Sequence, residues 1–292
     1  MSEHADFSPE LVTELALADA LRALQEDVGS GDLTAALVDP QARASARVIA
    51  RESAVICGGP WASAAFKHLN PDVELVWHVR EGHRCHADQV IFEVHGNARA
   101  LLTGERTALN FLQMLSAVAT KTADYVHAIR EVPGSRASIV DTRKTLPGLR
   151  LAQKYAVLTG GGKNHRIGLY DAVLIKENHI AAAGGVAAAL RLATAAAPRA
   201  KFIEIEVETL DQFQEALDAG AGIVLLDNMR LAQLTDAVRI NAGRVLLEVS
   251  GGVSMTTVQA IASTGIDRIS IGALTKDIKA VDFSMRFTAE AL

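Results

Sequence analysis

The residues best suited to do chemistry in this 292-residue chain lie between Asp141 and His179, in the run DTRKTLPGLRLAQKYAVLTGGGKNHRIGLYDAVLIKENH. That run carries seven Lys/Arg (Arg143, Lys144, Arg150, Lys154, Lys163, Arg166, Lys176) against three acids (Asp141, Asp171, Glu177), inside a protein of net charge -5. An isolated run of charge is usually a solvated face. Here the cations fall where short apolar segments end: Ile139-Val140 leads into Thr142-Arg143-Lys144, and Ala172 to Ile175 leads into Lys176-Glu177. Ligands of parallel α/β sheets bind at the carboxyl ends of strands. Two cationic clusters in that position predict a polyanionic small-molecule substrate.

Acids and glycines recur at the same kind of position. Glu206 and Asp227 end two further apolar segments, where they could hold Mg²⁺, sugar hydroxyls or both, or else balance Lys144 and Lys176 as counter-ions. Ser250-Gly251-Gly252 and Gly272 end the last two, and glycine there lets backbone N–H groups approach an anion near a helix start. Gly160-Gly161-Gly162-Lys163 lacks the spacing of a P-loop.

The elements that must position these groups are legible from periodicity. Apolar strand segments recur near 138–142, 171–176, 202–207, 223–227, 245–249 and 269–272, with helical stretches at 185–197, 210–219, 231–241 and 255–263. Alternating strands and helices with short connections mean a parallel sheet. Six strands fall short of a closed eight-stranded ring, so the expectation is an incomplete, open parallel α/β barrel. Before it, an N-capped helix from Ser8-Pro9 to Gly29 and strands near 46–56, 73–79 and 89–94, with a helix at 60–69, read as an α+β sandwich domain. A helix is expected from Gly104 to about Glu131, with Arg106 in its first turn beside Glu105, where taken alone it reads as a surface ion pair. The expected division is 1–115 for the sandwich domain, 116–275 for the barrel, and 276–292 for a tail packing back on the first domain.

Composition bounds the class. Two cysteines, Cys57 and Cys85, fit a reducing compartment and argue against a disulfide framework. His78, His83, Cys85, His86 and His95 lack CxxC or HExxH spacing and read as exposed histidines on a hairpin rather than a zinc site. A pI of about 6.0 argues against a general nucleic-acid binder, and with neither a leader nor an apolar run of about 18 residues the expectation is a cytoplasmic enzyme without a membrane span.

The motifs EDVGSGDLT, GERTALNFLQ, DTRKTLPGLR, GGGKNHRIGLYD, KENH, EIEVE, LLDN, EVSGG and SIGALT, in this order, resemble the quinolinate phosphoribosyltransferase family over nearly the whole chain. The resemblance implies transfer of phosphoribosyl from phosphoribosyl pyrophosphate to quinolinate with decarboxylation, giving nicotinate mononucleotide, pyrophosphate and carbon dioxide in NAD biosynthesis. It also implies a Mg²⁺ requirement and a homodimer or higher homo-oligomer in which Arg106 enters the neighbouring site. By the same analogy Arg143, His165 and Arg166 face the quinolinate carboxylates, Thr142 also binds substrate, and Lys144 and Lys176 lie near carboxylate and pyrophosphate as catalytic groups. Glu206 and Asp227 address ribose and metal as further catalytic groups, while Ser250, Gly251, Gly252 and Gly272 take the 5′-phosphate and Ile271 and Ala273 also bind substrate. Two competing readings are a phosphoribosyltransferase for another heterocyclic acid and a non-catalytic sensor of phosphorylated ligands.

Overall fold

The structure is a computed structural model that describes residues 7–288. Residues 1–6 and 289–292, the outer ends of the expected first domain and tail, lie outside the described residues. The described chain divides into two compact units, one made of residues 7–121, 146–161 and 277–288, the other of 122–145 and 162–276. Leu146–Gly161 therefore groups with the first unit, although it lies inside the stretch expected to be barrel.

In the first unit, α1 (Pro9–Val28) begins where Ser8 Oγ accepts from the Leu11 N–H at 3.2 Å, with Pro9 supplying a preset φ. Strands β1 (Arg43–Ala50) and β2 (Ala54–Val55), helix α2 (Gly59–Leu69), and strands β3 (Glu74–Trp77), β4 (Arg84–Cys85) and β5 (Val90–Asn97) follow. Helix α3 (Ala98–Arg130) opens six residues before the expected start, because Asn97 Oδ1 accepts from the Ala100 N–H at 3.2 Å. Gly104 does not mark a boundary. It lies inside α3, where a Cβ would come within 2.8 Å of Phe66. Buried Phe66 and Phe92 meet edge-on, and Trp77 packs on Phe92, between α2 and the sheet.

The second unit holds β6 (Ser138–Val140), while α4 (Arg150–Thr159) belongs to the first. Then come β7 (Val173–Ile175), α5 (Glu177–Ala183), α6 (Val186–Ala196), β8 (Ile203–Val207), α7 (Leu210–Asp218), β9 (Ile223–Asp227), α8 (Leu231–Asn241), β10 (Leu246–Ser250), α9 (Val258–Ala262), β11 (Arg268–Ser270) and α10 (Ala273–Lys276). The expected start of α9 at Met255 is too early, since Ser254 and Thr257 pair with each other in a turn. Back in the first unit, β12 (Phe283–Phe287) pairs antiparallel with β1, giving a sheet of order β12-β1-β5-β3. Among the described residues no single helix is long and apolar enough to cross a membrane.

The second unit's sheet has order β6-β11-β10-β9-β8-β7, all parallel, so β6 and β7 form its two edges and the ring is open between them. Period 2 sorts its side chains. Ile205, Val207, Val224, Leu226, Val249 and Ile269 are buried on the face covered by helices such as α6 and α7. The alternate positions carry Glu204, Glu206, Asp227, Glu248, Ser250, Arg268 and Ser270, and point into the ring. A lumen of this kind departs from the branched aliphatic filling usual for parallel barrels.

Glu204 and Glu248 are fully buried. Burial, then the neighbouring Glu204 charge, pushes Glu248 up to about 8, against the opposing pull of His165, Ser270 and Arg268. A carboxyl whose folded pKa exceeds its unfolded value contributes stability that is complete below pH 4.5 and lost as pH rises to about 8. Glu248→Gln, neutral at every pH, should therefore show a smaller fall in Tm between pH 6 and 9 than the parent protein. Parallel Tm profiles for the two would rule this assignment out.

Candidate active site

Fourteen of the fifteen sequence-nominated residues fall in the second unit. Arg106 is the exception, exposed on α3 in its third turn rather than its first.

The loop after β6 is fixed by its own hydrogen bonds. Lys144 N–H donates to Thr142 Oγ1 at 3.1 Å, and Thr275 Oγ1 donates to the Lys144 carbonyl at 2.7 Å. Gly272 lies beneath: a Cβ there would stand 2.9 Å from Lys144 Cδ, so a side chain would shift the lysine from its path across the end of β11. Ile271 is buried and donates its N–H to Val140 across the sheet at 2.9 Å, which places Gly272 and Ala273 at the rim.

Asp141, wholly buried, organises a second segment. Its Oδ2 accepts from Asn164 Nδ2 at 2.7 Å and its Oδ1 from the His165 N–H at 2.8 Å. Lys163 forms a parallel bridge with Val140 at the free edge of β6. The chain is thereby led into the lumen, where His165 and Arg166 are buried. Burial, then the nearby Arg143 guanidinium, holds the Arg166 pKa below its ordinary value. Arginine stays charged nonetheless. Two such cations brought close by the fold attract an anion, and planar forks match carboxylates.

His165 is held by contacts within the protein. Its Nε2 lies 2.7 Å from Glu204 Oε2, and its Nδ1 accepts from the Arg166 N–H at 2.8 Å. Both ring nitrogens are engaged inside the protein.

Lys176, exposed, caps the end of β7, and its Nζ is 3.4 Å from Glu206 Oε2. Burial raises the Glu206 pKa, Lys176 opposes that, and Asp227 adds to it. Asp227 is likewise raised by burial, with Lys176, Asn228 and Lys144 opposing. Two carboxylates on adjacent strands therefore face two ammonium groups. Their hard oxygens and the repulsion at Glu206 fit a divalent cation of the Mg²⁺ kind.

At the end of β10, Gly251 has φ 94° and its absent Cβ would overlap Asn228 Oδ1 at 2.0 Å. Asn228 itself has φ 54°, donates its N–H to Ser250 O at 3.0 Å, and donates Nδ2 to Asp227 Oδ2 at 2.7 Å. Ser250, Gly251 and Gly252 thus form a fixed turn beside Asp227.

Glu204, Glu248, Arg268, Asp141 and Asn228 were not nominated from sequence. The signal available was the strand period: Glu204 lies two residues before Glu206, Glu248 two before Ser250, and Arg268 two before Ser270.

The chain matches the family model described as quinolinate phosphoribosyl transferase, N-terminal domain, over residues 32–116, and that described as the C-terminal domain over residues 118–286. It is 40% identical to a protein of Bacillus subtilis named probable nicotinate-nucleotide pyrophosphorylase [carboxylating], over 90% of each chain. It is 38% identical to quinolinate phosphoribosyltransferase [decarboxylating] 2b of Nicotiana tabacum, covering 92% of this chain and 81% of that one. The solved nicotinate-nucleotide pyrophosphorylase of Francisella tularensis superposes with TM-score 0.92 at 42% identity, covering 99% of this chain and all of the other. With the open six-stranded ring and the cationic rim described above, these matches place the chain in the quinolinate phosphoribosyltransferase family.

Proposed function

We propose that the chain transfers the phosphoribosyl group of phosphoribosyl pyrophosphate to quinolinate with decarboxylation, forming nicotinate mononucleotide in NAD biosynthesis. The observation that carries this reading is the gathering of four cations on one sheet's strand ends and lumen: Arg143 and Lys144 after β6, buried Arg166, and Lys176 at the end of β7. A dicarboxylate acceptor and a polyphosphate donor supply the anions that such a site lacks.

In this mechanism Arg143 and Arg166 grip the two carboxylates and aim the ring nitrogen at the anomeric carbon. The new C–N bond forms as the C–O bond to pyrophosphate breaks, and pyrophosphate leaves with the bonding pair. Positive charge growing on the ribose carbon is met by Glu206 and Asp227, and negative charge on the leaving group by Lys144 and Lys176. Mg²⁺, held by Glu206 and Asp227 directly or through water or substrate, would supply further neutralisation of the phosphate oxygens. Ser250, Gly251, Gly252, Ile271, Gly272 and Ala273 cradle the 5′-phosphate. The quaternised ring nitrogen then stabilises the electron pair left on the adjacent ring carbon as its carboxylate departs as carbon dioxide, and a proton from solvent adds to that carbon.

The working form in this reading is a cytoplasmic homodimer or higher homo-oligomer, with exposed Arg106 reaching the neighbouring site. The free, buried thiols of Cys57 and Cys85 are consistent with a reducing compartment.

With phosphoribosyl pyrophosphate and Mg²⁺, mass analysis should find nicotinate mononucleotide from quinolinate and none from nicotinate. Arg166→Ala should raise KM for quinolinate by roughly 10- to 100-fold, the usual cost of one charged hydrogen-bonding partner. Turnover of nicotinate alone, or of neither acid, would overturn the assignment. Because Lys176 lowers the Glu206 pKa, Lys176→Met should move the acid limb of residual kcat/KM to higher pH. An unmoved or lowered limb would disconnect Glu206 ionisation from catalysis.

A further inference from the structure

Beneath the rim, the lumen holds a polar group with no role in the mechanism above. Glu204 and Glu248 are both wholly buried, and the His165 ring stands between them. His165 Nε2 is 2.7 Å from Glu204 Oε2 but 3.6 Å from Glu248 Oε1, so the hydrogen bond is to Glu204. Phe202 packs edge-on against the ring at 5.4 Å and 84°, which fixes its plane.

The opposite ring nitrogen settles where the proton is. Nδ1 accepts from the Arg166 N–H at 2.8 Å, and it can do so only when it carries no proton. The ring proton must then be on Nε2, and on a buried ring that N–H needs an acceptor. Glu204 Oε2 is that acceptor. Beyond the ring, Arg166 is held further by Nη1 donating to the Ala172 carbonyl at 3.3 Å, and the next two N–H groups, of Ile167 and Gly168, donate to the Asp171 carboxylate at 2.8 and 2.9 Å.

We propose that Glu204 is a positioning residue for substrate recognition: by accepting from His165 Nε2–H it selects the tautomer whose Nδ1 anchors the Arg166 main chain, and so aims the Arg166 guanidinium. The inference rests on the quinolinate reading and deepens it. It assigns to His165 an indirect part, through Arg166, in place of direct contact with the carboxylates. His165, Glu204 and Glu248 have ligand atoms within 4.8 Å of one another, the spacing of a metal site. A cation is disfavoured there because Arg268 and Arg166 already act on Glu204, and 2.7 Å is a hydrogen-bond separation.

The test compares Glu204→Gln with Glu204→Leu in steady-state assays. Glutamine keeps an acceptor oxygen and should leave KM for quinolinate within about threefold of the parent, while leucine should raise it about tenfold or more with KM for phosphoribosyl pyrophosphate nearly unchanged. Equal rises in both KM values, no rise with leucine, or glutamine as damaging as leucine would overturn the proposal. So would a stoichiometric metal ion, found by elemental analysis of the parent protein and lost from Glu204→Leu. Should the leucine variant fail to fold, the ¹⁵N shifts of the His165 ring in the parent protein decide: the Nε2-protonated tautomer is expected, and an Nδ1-protonated or doubly protonated ring would sink the idea. That readout needs no substrate, so failure of quinolinate turnover would count against the functional reading alone.

Discussion

A parallel sheet of six strands that does not close leaves two backbone edges to satisfy, and the site is built on one of them. At the β6 edge the chain answers with Lys163, whose N–H donates to Ile139 O at 2.8 Å while its carbonyl accepts from the Asp141 N–H at 3.1 Å. That short parallel bridge works as a fragment of strand. It then has to end, and Asp141 ends it by taking up Asn164 and His165 with its two oxygens. The turn so formed carries Arg166 into the ring. A closed barrel would have spent this edge on strand pairing, with no opening through which a loop could enter.

The lumen's charge follows from that opening. Side chains pointing inward from β8, β10 and β11 include two fully buried carboxylates, and a buried charge is expensive unless compensated. Compensation comes from protonation, since Glu248 is pushed up to about 8 and Glu204 to about 7 chiefly by burial, and from Arg268 and Arg166 nearby. Stability must then come from the other face, where Ile205, Val207, Val224, Leu226 and Phe213 are buried to 4% exposure or less. Each strand thus divides its labour by period 2: one face holds the fold together, and the other holds the chemistry in place.

The same periodicity explains what sequence reading reached. The strands of the ring, the helices between them and the polar residue closing each strand were legible, because apolar runs ending in Lys, Glu, Asp or Gly repeat at regular intervals. Glu204 and Glu248 were not singled out, since a lone acid within an apolar strand looks the same whether it faces solvent or lumen. Helix α4 was passed over because DTRKTLPGLR reads as a loop, and its continuation LAQKYAVLT buries Gln153 and Lys154 alongside its apolar residues, which blurs the helical stripe. Strand β12 was read only as part of a tail, since five residues with Arg286 exposed give little periodicity, and its pairing with β1 spans more than two hundred positions. His165 was nominated from its motif, but a ring's two nitrogens are oriented by contacts that no motif encodes.

Backbone conformations at the rim hold its cationic groups in place. Clustered cations repel, and flexible lysines would splay apart in water unless anchored. Here the anchors are steric and local. Lys144 runs over Gly272, where a Cβ would displace it, and Gly251 and Asn228, both with positive φ, interlock at a distance only glycine tolerates. Such conformations carry a cost that the surrounding sheet must offset. The cost is met before any ligand arrives, so binding need not spend energy on ordering the rim, and more of the substrate's charge is available to stabilise the transition state.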